Sequence, residues 1–229
     1  MLTAATGLAT VALVPREPAR AGAVGYGRLL VSLPRLLRSE PALRQSCLLH
    51  ASLFGAYNAT WTSLVLVLTH DPYHLSTATA GLFGLLGLAG AFAAPWAGRF
   101  IDRRGPLPII TAALVLTLVS ALAYALGRAG LAFMVVAILA VSVAVQWSQI
   151  ANQARVFAYL PEARSRANTV YMVAVFLSGA ICAALAGACY AAFGWPGVCA
   201  LQAVLALAGL TVVPFARRYD RAFDNAVTA

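Results

Sequence analysis

Six stretches of this chain contain no Asp, Glu, Lys or Arg: 48–69, 77–98, 107–126, 131–154, 169–192 and 197–216. More than half of the 229 residues lie in them, and every charged side chain lies outside. A helix needs about 20 mostly apolar residues to cross the hydrocarbon of a bilayer, because in lipid every backbone polar group must be bonded within the segment. Each stretch has that length. Charged residues make up only 10% of the chain, against about 25% in a soluble domain, so there is too little polar surface to cover a globule in water. The pattern predicts an all-α polytopic membrane protein with six transmembrane helices.

The charges outside the stretches give an orientation. All 16 basic residues are arginine. They fall in alternate segments: Arg16, Arg20, Arg28, Arg35, Arg38 and Arg44 before the first stretch, then Arg99, Arg103 and Arg104, then Arg155, Arg164 and Arg166, then Arg217, Arg218 and Arg221. The intervening loops 70–76, 127–130 and 193–196 hold only Arg128. By the positive-inside rule both ends of the six-helix unit of this multi-pass protein face the cytoplasm. Topology therefore explains the net charge of +9, and no nucleic-acid partner is implied.

The same residues argue against an enzyme. With no lysine there is no P-loop lysine, Schiff-base lysine or Ser-Lys pair, and no span or loop clusters Asp with His or completes a Ser-His-Asp set. Cys47, Cys182, Cys189 and Cys199 lack metal-ligand spacing and read as small packing residues. His50, His70 and His74 stand at span ends, too scattered in depth for a metal cage, and His50 reads as an interfacial residue. No metal or cofactor is expected. No span contains a carboxylate that could relay protons; coupling to protons or sodium stays open. Asn58-Ala59-Thr60 matches a glycosylation sequon but lies mid-span, out of reach of any glycan.

Four segments follow. Residues 1–14 are apolar, too short to span, and lack a basic leader before them, so they read as the end of a truncated transmembrane helix. Residues 15–47 form a cytoplasmic linker in which Leu29, Leu30, Leu33, Leu36 and Leu37 interleave with Arg28, Arg35 and Arg38, an amphipathic segment broken at Pro34. Residues 48–216 are the six-helix bundle and 217–229 a cytoplasmic tail.

The loop after the second span reads Gly98-Arg99-Phe100-Ile101-Asp102-Arg103-Arg104-Gly105-Pro106. A Gly-x-x-x-Asp-Arg-x-Gly loop between the second and third helices of a six-helix unit resembles the signature loop of the major facilitator superfamily. Asn152-Gln153-Ala154-Arg155, the run from Ala163 to Met172, and Gly194-Trp195-Pro196-Gly197 resemble one uncharacterised bacterial branch of its permeases. Ser178 and Cys182 stand where that branch would carry glycine. The resemblance implies the carboxy-terminal half of a twelve-helix fold, helices 7 to 12, with the amino-terminal six-helix half missing. The implied partners are that half, the lipid bilayer and a small-molecule solute moved by alternating access.

Within that mapping, helices 7 and 10 line the solute path. Tyr57, Asn58 and Trp61 on the first span, and Ser142, Gln146 and Gln149 on one face of the fourth, are the path candidates. Gly98, Asp102, Arg103, Arg104 and Gly105, with Arg155, form a cytoplasmic gate loop, in which Asp102 caps a neighbouring helix or pairs with Arg155. The small residues Gly81, Gly84, Gly87 and Gly90, and Gly179, Ala183 and Gly187, are helix-packing faces turned to the other half, and Pro95 is expected to bend the second span.

The arginine distribution makes a direct prediction. In a cysteine-free background, R103C and D71C should react with an impermeant maleimide from opposite sides of the membrane. Labelling of both from one side would overturn the orientation and the helix count together.

Overall fold

The computed structural model describes residues 34–228. The truncated-helix reading of 1–14 and most of the linker, including Leu29, Leu30 and Leu33, lie outside the described residues. From Pro34 the described chain is helical over 34–39, and the break expected at Pro34 falls at the edge of the described residues.

Five helical runs are long and apolar enough to cross a membrane: Pro41–Thr69 (α1), Thr77–Arg104 (α2), Pro106–Ala129, Leu131–Tyr159 (α4) and Pro161–Phe223. The third consists of the α-helix Pro106–Leu126 (α3) and a closing 3₁₀ turn. The fifth has 63 residues. At ~1.5 Å per residue a straight helix of that length would be about three times as long as the hydrocarbon core is thick. It is two helices, 164–193 (α5) and 195–228 (α6), meeting at Gly194 with φ 64° and ψ −154°. That φ lies in the left-handed region that glycine adopts without a Cβ penalty. The chain reverses there, because Tyr171 of α5 and Asp220 of α6 both lie at the end of the bundle that holds the start of α1. Six spans result, as the charge-free stretches predict.

The helices overrun those stretches. α1 begins at Pro41 rather than 48, and α6 continues to 228, so the end of the linker and most of the tail are helical extensions of the bundle. Within α2, Phe83–Gly87 is 3₁₀ and Leu88–Arg104 is α-helix. The helix runs unbroken through Pro95; its departure from α geometry comes two turns earlier, in a run holding two glycines. Gly105 (φ 76°) ends α2, and Pro106 opens α3 at once.

Packing follows side-chain size. α1 lies in the middle: a Cβ on Gly55 would come within 2.6 Å of Cys182 in α5 and 3.5 Å of Leu205 in α6. At Gly209, α6 presses against Leu114 of α3 and Ser52 of α1. α2 approaches α4 closely at Gly90, where a Cβ would sit 2.7 Å from the Ser142 carbonyl oxygen. At the arginine-poor end Trp195 seals the bundle. Its Nε1 donates to the Tyr124 carbonyl at 2.9 Å, Arg128 stands over its ring, and Tyr73 donates to the Gly127 carbonyl beside it.

The proposed packing stripes divide. Gly87 and Gly90 face Trp61 and α4 inside this bundle, and Gly179 fits against Phe54 and Asn58 of α1; Gly81, Gly84 and Gly187 meet nothing within 4 Å. Gly179 and the inner pair on α2 are thus contacts within this unit, not a face kept for another. The division is testable. G90A should destabilise the detergent-solubilised protein by about 1–3 kcal/mol, since a backbone oxygen cannot step aside. G84A should leave stability unchanged or slightly raised. Equal thermal midpoints for both variants would contradict this packing.

Candidate functional site

Two polar groupings stand out in the apolar bundle. At the arginine-rich end Arg155, in the last turns of α4, is fully buried, and all five of its N–H donors are used. Nε and Nη2 bond the Asp220 carboxylate of α6, with the shortest contact 2.7 Å. Nη1 donates to the Ala42 carbonyl at 2.9 Å and Ser46 Oγ at 3.0 Å, and Nη2 also to Gln45 Oε1 at 2.8 Å. Tyr159 adds a hydrogen bond to Asp220 Oδ1 at 2.8 Å, and its ring lies beneath the guanidinium. One side chain thereby ties the first turns of α1 to the ends of α4 and α6.

This corrects the gate-loop reading of Arg155. Its carboxylate partner is Asp220, 65 residues away in the chain, and not Asp102. Asp102 and Arg103 are exposed in the last turns of α2. Arg104 and Gly105 do share a cleft with Arg155, whereas a Cβ on Gly98 would meet open space. No regularity of spacing could have pointed to Asp220; the only hint was its place among few acidic residues at the arginine-rich end.

The second grouping lies on α1 and α4. His50, Phe54, Tyr57 and Trp61 form an aromatic ladder with successive ring centroids 6.0, 6.1 and 5.9 Å apart. Tyr57, Asn58, Trp61, Gln146 and Gln149 are half-buried, and Ser142 is buried. Trp61 packs on Gly87 and Gln146 on Gly90, so these two candidates reach the same stretch of α2. Asn58 turns its amide to its own helix, donating to the Phe54 carbonyl at 2.8 Å. Trp61 Nε1 and Ser142 Oγ are buried without a hydrogen-bond partner among the described residues.

His50 faces the protein interior. It is fully buried, stacked on Tyr171 at 5.6 Å, with Nδ1 2.9 Å from Ser148 Oγ. Asn152 donates to the same hydroxyl at 3.1 Å. His50 Nε2, Asn152 Oδ1 and Tyr171 OH have no protein partner. Sequence reasoning missed Ser148 and Asn152, although a 3.6-residue period places both on one face of α4. His70 and His74 lie at the opposite end, His74 against Asp71 at 2.6 Å.

A profile of the Major Facilitator Superfamily matches the chain twice, over residues 1–152 and 88–227. The chain belongs to this superfamily. A protein of Streptomyces coelicolor described as a probable transporter is 40% identical over 213 residues, covering 92% of this chain and 49% of its own length. An uncharacterized transporter of Escherichia coli O157:H7 is 34% identical over 189 residues, covering 82% of this chain and 48% of its own length. The chain thus spans about half the length of the curated relatives it matches. In this superfamily member the signature loop joins α2 to α3, and the buried Arg155 network stands beside it.

Removing one partner of a buried ion pair costs about 3–5 kcal/mol, because the other charge stays desolvated. D220A should therefore lower the thermal midpoint sharply, and Y159F by much less. D102N should leave stability near wild type, since the carboxylate is exposed. A D102N loss as large as that of D220A would return Arg155 to the loop.

Proposed function

We propose that the chain is the carboxy-terminal bundle of a twelve-helix facilitator permease that moves a small solute across a bacterial inner membrane by alternating access. The observation that carries the reading is the half-length match to relatives described as transporters, joined to a six-span unit whose own helices leave a polar and aromatic face half-open. Alternating access rocks one bundle against another around a site between them. Tyr57, Asn58, Trp61, Ser142, Gln146 and Gln149 form this bundle's side of the path. Trp61 Nε1, buried without a partner, is its readiest donor to a solute.

The Arg155 network lies inside one bundle, so it moves as part of that bundle and holds its shape through the cycle. Gating belongs to groups exposed at the rim. Asp102, with Arg103 and Arg104, is placed to meet the amino-terminal half when the cytoplasmic side closes. Gly81, Gly84 and Gly187, the open part of the small-residue stripes, are the positions for close approach of that half. A second reading, a membrane module that binds a partner half without transport, is favoured only by the half-length match.

Flux separates the two. The bundle co-expressed with a six-helix amino-terminal half should carry solute in a panel of labelled small molecules tested in vesicles, and the bundle alone should not. N58A, W61A and Q146A should raise the half-saturation concentration while leaving protein level unchanged. Co-expression without flux of any solute supports the binding module; unchanged kinetics in all three variants would remove them from the path.

A further inference from the structure

At the arginine-rich end, the start of α3 and the end of α6 face each other across a cleft of about 600 Å³. Arg104, Arg217 and Arg221 line it and are exposed. Among the described residues none of the three has a carboxylate partner. Asp220 also reaches the cleft, but Arg155 and Tyr159 hold its carboxylate. Three cations thus surround a space whose acid is already neutralised. The first turn of α3, opening at Pro106, adds the positive end of a helix dipole.

A second groove of about 280 Å³ continues from the first. The two share Arg217 and Arg221, and the second is walled by Leu210, Val213 and Pro214. These apolar residues lie within the uncharged stretch 197–216. Leu210 is seven residues from Arg217, about 10 Å along the helix. A cationic rim therefore runs directly into an apolar slot that points toward the membrane interior. A free phosphate would use only the rim. A molecule with an anionic head and a hydrocarbon chain would use both, and guanidinium groups grip phosphate oxygens in pairs.

We propose that this double groove binds an anionic phospholipid, its phosphate on Arg217 and Arg221 with Arg104 opposite, and an acyl chain along Leu210, Val213 and Pro214. The site stands apart from the solute path, and of its arginines only Arg104 also belongs to the gating rim.

The test is native mass spectrometry of the full chain released from detergent, titrated with phosphatidylglycerol or with phosphatidylcholine of the same acyl chains. An arginine at a charged membrane surface is worth about a factor of five in lipid affinity, so R217Q/R221Q should weaken phosphatidylglycerol retention about thirtyfold, to the level of phosphatidylcholine. R164Q/R166Q removes the same charge from the same end outside the groove and should retain the lipid as wild type does. Inorganic phosphate at millimolar concentration should not displace it. Should the double variant fail to elute as a folded species, R221Q alone is read for about a fivefold loss. Equal retention by wild type and the groove variant, equal loss in the control variant, or no preference over phosphatidylcholine would each overturn the proposal. Displacement by inorganic phosphate would also overturn it, leaving a free-anion site.

Discussion

A guanidinium with no exposure to solvent, inside a bundle meant for lipid, must have every donor bonded or be expelled. Arg155, on α4, meets that condition through four residues on two other helices: Ala42, Gln45 and Ser46 at the start of α1, and Asp220 on α6. A shift of one residue in the register of any of these helices would strand a charge in low dielectric. The network therefore does what apolar contacts between membrane helices cannot. Lipid is as apolar as leucine, so there is no hydrophobic gain in choosing one register over another. The polar tie supplies the choice for α1, α4 and α6, whose close contact at Gly209 with Ser52 lies between two of the tied helices.

The opposite end is fixed by a different device. Gly194 turns the chain with a positive φ, and Trp195 immediately after it fills the space between Tyr73, Tyr124 and Gly127. Its indole N–H is bonded to the Tyr124 carbonyl, so a large aromatic is buried without an unpaired donor. Between the two ends, helices approach closely at Gly55, Gly90 and Gly179, with Leu53, Leu114 and Ile138 filling the core. The bundle is thus pinned at both ends, so its helices are tied into one connected unit.

Much of this could be read from the sequence because lipid makes unusually simple demands. The absence of charge over about 20 residues has one physical meaning in a chain this apolar, so all six spans were visible. Helix ends were not: the apolar stretch stops where the first arginine stands, whereas α1 already begins at Pro41 and α6 runs on to 228. The partner of Arg155 was hidden for a related reason. Asp220 and Arg155 are far apart in the chain, and only the reversal at Gly194 brings α6 back to α4. The loop carboxylate at Asp102 was nearer in sequence and in motif, yet it sits on the exposed end of α2. The burial of His50 was not legible either, because it depends on which face of α1 the residue occupies and not on its position along the helix. Glycine stripes misled in the same way, since spacing shows that Gly87 and Gly90 allow close approach but not which helix approaches.

The polar residues of the interior divide along the same lines. Arg155 and Trp195, at the two ends, have their donors bonded. The layer above Arg155 does not: His50 Nε2, Asn152 Oδ1 and Tyr171 OH are buried without a protein partner, and an unsatisfied buried group costs about 1–3 kcal/mol. Ser148 orders this layer. Its hydroxyl accepts from Asn152 and faces His50 Nδ1, so the tautomer of His50 is set by which of the two carries the shared proton. α1, α4 and α5 each contribute to the layer, the first two being the helices that also carry Asn58, Trp61 and Gln146. A change of packing along the faces of α1 and α4 that carry these residues would therefore be felt first here, in the layer where polar groups have fewest bonds to lose, while the Arg155 tie below holds the three helix ends in register.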